Sequence, residues 1–536
     1  MIATAESASD ASRGIERLAR WAPALLITAG LAVRLISAYS KFLNADEAMH
    51  YLLSVQPSFA ETYRASLGTA HPPLLIILLH YWGMISRTEF FLRLPSVLAG
   101  TAAGWFLYAW LRDRADRATA TIALGLFVFS PALIYTSAEV RQYALLLCFM
   151  CATLYLQERA LAKNSTAFMF ASGLTLYLAL LTHYCALIFA VSVAIYALLR
   201  MWTTRPGRLI LAWIFVQLGG IAIGIFLWET HISIIRHRPL TQDVAESYLR
   251  NSLFHPGREN VFAFIARSNL RLFHFFFSQG AISVVGVVLF LAGIAMLFAA
   301  RDVAGRVPRS GARSLGALLL LPFAINCAAA VAGLYPYGGT RHNAYLAVFA
   351  MPAVAIPIAR WRPRWAWSKP IAVAAALAIC NFAVNPAGAY IKPKNQKRKL
   401  LIEAVRYLRT SAPAGSVVLT DYESGLLLSY YLCDRDITHS GEPSGSFYLS
   451  QCGEYESASV LPRLWIFRAE TFPTQVNELA RSVHSAQQVW LFQAGFIVDR
   501  EPGFQTLLGQ YGCDRPRKFG ANVIVCRINP GVQPAG

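Results

Sequence analysis

Long apolar stretches recur between residues 21 and 387 of this 536-residue chain, and the short segments that join them are rich in arginine. A helix needs about twenty apolar residues to cross roughly 30 Å of hydrocarbon. Stretches that reach this length, or approach it with amphipathic ends, fall at 21–40, 92–111, 118–136, 140–158, 166–182, 184–200, 208–228, 280–300, 314–333, 344–359 and 370–387. Hydrophobic residues make up 56% of the chain and charged residues only 14%, with a mean hydropathy of +0.44. Water cannot solvate that much apolar surface at this size, so the bilayer is the solvent for most of it. The fold class is a polytopic α-helical membrane protein with about eleven transmembrane helices.

The formal charge of +19 invites a nucleic-acid reading, but its distribution argues against one. Six segments carry nineteen Lys and Arg residues: the tail 1–20 and the connections 112–117, 158–163, 200–208, 301–313 and 360–369. Alternation along eleven spans places all six on one side, which the positive-inside rule makes cytoplasmic. The polar tail 1–20 is then cytoplasmic. The stretch 21–40 is a retained first helix, because it is longer than a signal-peptide core and lacks a small-x-small cleavage site. His71–Ser86 is apolar but short and opens on two prolines. Counting it as a span would send the arginines of 112–117 outside, so it reads as a helix lying at the outer interface.

External loops follow at 41–91 and 229–279, the latter ending in an aromatic-rich amphipathic stretch suited to a membrane surface. Residues 388–536 alternate helical stretches with short apolar runs (SVVLT, RLWIF, VWLF, NVIVC), the pattern of an external α/β domain with a mainly parallel sheet. That domain carries no glycine-rich phosphate loop and no clustered metal ligands, so an acceptor-guiding or docking role suits it. Cys148, Cys151, Cys185, Cys327 and Cys380 lie in apolar segments as small core residues. Cys433, Cys452, Cys513 and Cys526 lie in the external domain, where an oxidising compartment permits two disulfides whose pairing stays open.

Charged groups beside a membrane are costly and need a reason. Asp46 and Glu47 follow the first span directly. As a pair they could supply a general base and a partner that positions an acceptor or cation; the plainer reading is a solvated helix start capped by Asn44 or Asp46. Glu139 and Arg141 stand at the outer mouth of the fourth span. Two residues apart on a helix they face different partners, one into a site and one towards its rim. Arg93 opens the second span from the same side and Arg341 and His342 the tenth, while His71 opens the interfacial helix and His183 caps the fifth span. Each residue singly suits a structural role. Together they gather carboxylates, arginines and histidines at one level of one membrane face, where Arg is suited to grip a phosphate whose lipid tail stays in the bilayer. Arg34, within the first span, reads as part of an ordered motif pattern or as snorkelling inward.

The ordered motifs DEA..Y, HPPL, EFxLRLPS, SxEVRxYAL and THY, with the Arg-His pair before a late span, resemble the bacterial glycosyltransferase family 39-like membrane enzymes. These form a branch of the dolichyl-phosphate-mannose protein mannosyltransferase superfamily with the GT-C fold. The match is strong over 20–200 and weak to about 360. The resemblance implies an inverting glycosyltransferase with a polyprenyl-phosphate-linked sugar as donor and a lipid, glycan or protein as acceptor. It also implies action at the outer face of a bacterial inner membrane, with the C-terminal domain periplasmic. On this reading Asp46 is the catalytic base with Glu47 beside it, and Glu139 supports the site or acceptor. Arg93, Arg341 and His71 bind the donor phosphate; His71 stands where some relatives have a permanently charged lysine. Arg141, Tyr143, His183 and His342 support them. Some relatives use a divalent cation; no ligand set is evident here, so the expectation is no cofactor and no metal. A transporter or flippase would be expected to show inverted repeats and mid-span charges, and a scaffold would not need eleven spans.

Overall fold

The computed structural model describes residues 2–204, 207–236, 249–278, 280–299, 309–361, 398–433, 438–439, 447–460, 467–482, 487–494, 504–513, 516–520 and 523–530, with backbone alone for 2–20, 203–204, 309–310, 438–439, 448–450, 457, 460 and 505. The chain divides into two compact units: Met1–Ala38 with Tyr63–Gly388, and Tyr39–Thr62 with Ala389–Gly536.

The first unit is helical. In chain order it begins α1 (Ile2–Ser40); α2 (Ala45–Ser54) belongs to the second unit; then follow α3 (Phe59–Ser66), α4 (Leu74–Gly83), α5 (Glu89–Arg114), α6 (Arg117–Val128), α7 (Pro131–Ser137), α8 (Tyr143–Lys163), α9 (Thr166–Leu180), α10 (Ala186–Thr204) and α11 (Gly207–Leu227). Helices at Val261–Phe277, Gly280–Phe298, Arg309–Val331 and Ala347–Arg360 complete it. Among the described residues seven helices are long and apolar enough to cross a membrane, and α6 with α7 makes an eighth candidate, bent by 62°. The segments expected at 166–182 and 184–200 are the shorter apolar helices α9 and α10, and the eleventh, 370–387, lies outside the described residues. α4 has ten residues, about 15 Å of helix, too short to cross. Lipid-facing surface shows in the outward stripe Leu211, Phe215, Leu218, Ile221 and Ile225 of α11, at spacings of three and four residues.

Arg34 does not snorkel. It is fully buried, and its Nη1 donates to the carbonyls of Gly30 (3.1 Å) and Val128 (2.9 Å). Val128 ends α6 at the bend, where its carbonyl has lost its helical donor; the guanidinium supplies one and meets the negative end of the helix dipole. In hydrocarbon a freed carbonyl must find such a partner within the protein.

One end of the bundle is tied by a buried polar network. Arg114 donates from Nε to the Tyr196 hydroxyl (3.0 Å), which donates to Glu158 (2.6 Å). Arg200 pairs with the same carboxylate at 3.0 Å, and Arg114 also reaches Ser314 and the Gly311 carbonyl. Four of the arginine-rich connections therefore meet at one end, as the charge pattern requires. Glu158 lies fifteen residues along α8 from Tyr143, roughly 22 Å away.

The second unit holds a seven-stranded sheet, in order β2-β3-β4-β1-β5-β7-β6. Its strands are β1 (Val417–Thr420), β2 (Thr438–His439), β3 (Phe447–Cys452), β4 (Tyr455–Val460), β5 (Val489–Ala494), β6 (Arg517–Lys518) and β7 (Val523–Ile528). The sheet is mixed rather than mainly parallel. Only β1 is parallel to its neighbours, β4 and β5, and the other four pairings are antiparallel. Crossovers through helices serve only this centre, whereas β3 and β4 close as a tight hairpin over Gly453, whose φ of 60° suits glycine. Of the expected strands, SVVLT, VWLF and NVIVC are β1, β5 and β7; most of RLWIF lies outside the described residues. Disulfides join Cys433 to Cys452 and Cys513 to Cys526, and Cys148, Cys151, Cys185 and Cys327 are free; Cys380 lies outside the described residues.

Residues 39–62 pack with this domain. Phe42 enters the apolar cluster that contains Leu401, Leu408, Val418 and Phe492. The Leu43 amide donates to the Tyr431 hydroxyl at 2.7 Å, and Tyr51 meets Tyr430 edge-on at 5.2 Å. Both tyrosines belong to the helix Tyr422–Tyr431, which follows β1.

Candidate active site

In the second unit, Asn44 caps α2. Its side chain accepts from the Glu47 amide (3.2 Å), and the Glu47 carboxylate accepts from the Asn44 amide (3.0 Å), a complete capping box. The helix start is therefore capped by Asn44, as one reading expected, but it is not solvated: Glu47 is fully buried. Asp46 is half-exposed, and its carbonyl accepts from His50 Nδ1 at 2.7 Å.

The other sequence-derived candidates all lie in the first unit. Helix α8 begins at Tyr143, not 140, so Glu139 and Arg141 occupy a turn, closed by the Arg141 amide donating to the Glu139 carbonyl at 2.8 Å. Helical geometry therefore does not split them between site and rim. Glu139 is 2% exposed and Arg141 1%. Ser96 of α5 holds the turn by donating to the Arg141 carbonyl at 3.1 Å.

Three further turns bring their residues to this one. After α9 the His183 amide donates to the Ala179 carbonyl (3.1 Å), ending that helix, and the Leu74 amide donates to the Leu181 carbonyl (3.1 Å), drawing the His71 segment alongside. The Tyr-Gly-Gly-Thr turn leads into the 3₁₀ helix Arg341–Leu346, where Asn343 bonds to Thr340 and Asn326. Glycine is needed at 339, since a β-carbon there would stand 2.4 Å from the Arg271 carbonyl.

The result is a cluster of rings. His71 stacks on His183 at 5.4 Å between centroids, His342 lies 6.0 Å from His183 and 6.5 Å from His71, and Tyr143 lies 5.5 Å from His183. The Arg141 guanidinium sits over the Tyr143 ring at 5.7 Å. His183 is pushed down to about 3, first by burial and then by Arg141 and Arg341, so it stays neutral. The Cys185 amide donates to its Nδ1 at 3.2 Å, which leaves the ring proton on Nε2.

Arg93 is buried, and its Nη1 donates to the Ala38 carbonyl at 2.7 Å, completing the last turn of α1's buried part. That bond gives it a structural task beside the phosphate role expected of it. The sequence reading passed over Gln142 and Tyr345, both 1% exposed. Each is a polar residue at the edge of an apolar span, the same signal that singled out their neighbours Arg141 and His342. Among the described residues no group of three His, Cys, Asp or Glu side chains is arranged to hold a metal ion.

Loops of the apolar helices gather arginines, histidines and a carboxylate at one end, and the chain continues into a mixed α/β domain, the architecture of a polytopic membrane protein with an appended domain. Residues 70–231 match the family model described as dolichyl-phosphate-mannose-protein mannosyltransferase; that range holds His71, Arg93, Glu139, Arg141, Tyr143 and His183. The structure is similar to that of ArnT from Cupriavidus metallidurans bound to undecaprenyl phosphate, with 12% identity over 96% of this chain and 98% of that one and a TM-score of 0.54. The apo state of the same protein gives 12% identity, the same coverage and a TM-score of 0.53. No curated protein matches the chain. The fold is of the GT-C type.

Proposed function

We propose that the protein is an inverting glycosyltransferase that moves a sugar from a polyprenyl-phosphate donor to a lipid, glycan or protein acceptor. The observation that carries this reading is the cluster at His183, where three imidazoles and a phenol crowd together and the Arg141 guanidinium sits over the phenol ring. Fixed cations at the mouth of a helical bundle suit a phosphate whose lipid tail remains in the bilayer. ArnT, of similar fold, binds undecaprenyl phosphate.

In the reaction an acceptor hydroxyl or amine attacks the anomeric carbon, the bond from that carbon to the phosphate oxygen breaks, and the configuration inverts. Arg341 and Arg141, with Arg93 and His71, take up charge growing on the departing polyprenyl phosphate. That leaving group is a phosphate monoester and needs little protonation. Asp46 takes the acceptor proton; its assignment rests on the resemblance of its DEA motif. Glu139, in the same turn as Arg141, supports the site, and His342 and Tyr143 line it. The reaction is metal-free on this reading. The site faces the periplasm of a bacterial inner membrane, with the N-terminus cytoplasmic and the C-terminal domain periplasmic.

The test is transfer of radiolabelled sugar from polyprenyl-phosphate donors to endogenous acceptors in membranes carrying the wild type, Asp46→Asn or Arg341→Ala. Loss of label transfer in both variants at normal expression, with an inverted linkage in the wild-type product, supports the reading. A retained anomeric configuration, or no transfer from any donor, overturns it.

A further inference from the structure

Four polar side chains near the cluster are almost wholly buried and yet incompletely bonded. Gln142 has no hydrogen-bond partner among the described residues at either amide atom; the same holds for the hydroxyls of Tyr143 and Tyr345 and for His183 Nε2. Each residue is at most 2% exposed. Proteins rarely leave buried donors and acceptors unmatched, and several together near one site call for a partner that matches them. Tyr143 and His183 are in ring contact. The Tyr335 hydroxyl donates to the His342 carbonyl at 3.1 Å, and Tyr345 lies one turn on from His342 in the same 3₁₀ helix, which joins it to the same locus.

The chemistry of the set is uniform. An amide both donates and accepts, the two phenols do likewise, and neutral His183 donates from Nε2. None of the four carries a charge. The charged groups that act on His183 are Arg141 and Arg341, whose field opposes its protonation. A second ammonium placed there would meet the same opposition. Burial, Arg141 and Arg341 push His183 down, and Glu139 stands in the turn of Arg141.

We propose that Gln142, Tyr143, His183 and Tyr345 recognise the transferred sugar through its hydroxyls, and that this sugar carries no free amine. The inference rests on the polyprenyl-phosphate reading above and adds the class of sugar and the residues that select it.

The test uses the full chain in lipid nanodiscs. Binding is measured for undecaprenyl phosphate and for undecaprenyl-phosphate sugars in matched pairs: glucose with glucosamine, mannose with mannosamine, galactose with galactosamine. The best-bound neutral sugar should exceed its amine counterpart at least tenfold. Gln142→Leu and Tyr143→Phe should each weaken binding of that neutral sugar lipid by about three- to tenfold, the range for one neutral hydrogen bond. Gln142→Leu should leave undecaprenyl phosphate within twofold. Ligand-free melting temperatures should hold or rise, because each change removes an unmatched buried group; a purely structural role would lower them. Equal or tighter binding of the amine sugars overturns the proposal. So does an equal loss for undecaprenyl phosphate and the sugar lipid in the variants. If wild type binds undecaprenyl phosphate but gains nothing from any sugar, the recognition set is wrong while the donor-lipid reading stands. No binding of undecaprenyl phosphate overturns that reading as well.

Discussion

The carboxylate of Glu47 and the amide of Asn44 are joined at 3.0 Å, and the Glu47 amide returns the bond to the Asn44 side chain at 3.2 Å. Glu47 is thereby engaged in starting α2, whereas Asp46, its neighbour, has no part in the capping box and is half-exposed. The two acids of the DEA motif should separate on mutation. Asp46→Asn should lower transfer about 10²- to 10⁴-fold, the usual worth of a general base. Glu47→Gln, which can still complete a capping box, should stay within a few-fold. Equal losses in radiolabel transfer would sink the distinction.

His183 is held neutral by burial and by Arg141 and Arg341, with its folded value near 3 and its unfolded value near 6.5. A depressed value means that the stability it supports is complete above pH 6.5 and is lost as pH falls towards 3. Thermal melting of wild type and His183→Asn between pH 7 and 4.5 should show wild type losing ground to the variant on acidification. Parallel curves would mean that His183 is not buried neutral.

Asp421 shows the opposite sign. At the end of β1 its carboxylate caps the helix Tyr422–Tyr431 through the Ser424 amide (2.8 Å), and burial raises it from 3.8 to about 6. Because the folded form holds its proton more tightly, ionisation costs stability as pH rises from about 4 through 6, by about 3 kcal/mol. Asp421→Asn keeps a capping side chain and should melt higher than wild type at pH 7, the gap narrowing by pH 5 and closing below about pH 4. A gap that widens on acidification would contradict the assignment.

Gly293 lets the helix Gly280–Phe298 approach Ala347–Arg360 backbone to backbone: a β-carbon would lie 2.0 Å from the Ala353 carbonyl oxygen. Backbone cannot swing aside as a side chain can, so Gly293→Ala should destabilise by about 1–3 kcal/mol. Gly280→Ala, with nothing within 4 Å, should be neutral. Size-exclusion yield and melting temperature in detergent separate the two.

The pairs Cys433–Cys452 and Cys513–Cys526 should resist alkylation unless reduced, and Cys513→Ser with Cys526→Ser should cost about 2–4 kcal/mol, read as a lower melting transition. Free thiols at all four positions in native membranes would place the domain in a reducing compartment.

The membrane class and the arginine-rich end were legible in the sequence because both depend on short-range pattern: twenty apolar residues make a span wherever they stand, and arginines between spans mark a side. His71, Glu139, Arg141, His183 and Arg341 could be named for the same reason, as polar groups at span ends. Their meeting was not legible. It depends on the Leu74–Leu181 bond, on where α8 starts, and on a turn that needs glycine at 339. Nor could sequence show that Arg34 turns inward to a carbonyl at a bend, or that Gln142 is buried with no hydrogen-bond partner among the described residues. The alternation of helices and apolar runs suggests a mainly parallel sheet, but strand direction is set by which distant segments pair, and most pairs here are antiparallel. Local pattern decides what each segment is; only packing, which balances every buried polar group against a partner, decides which segments face one another.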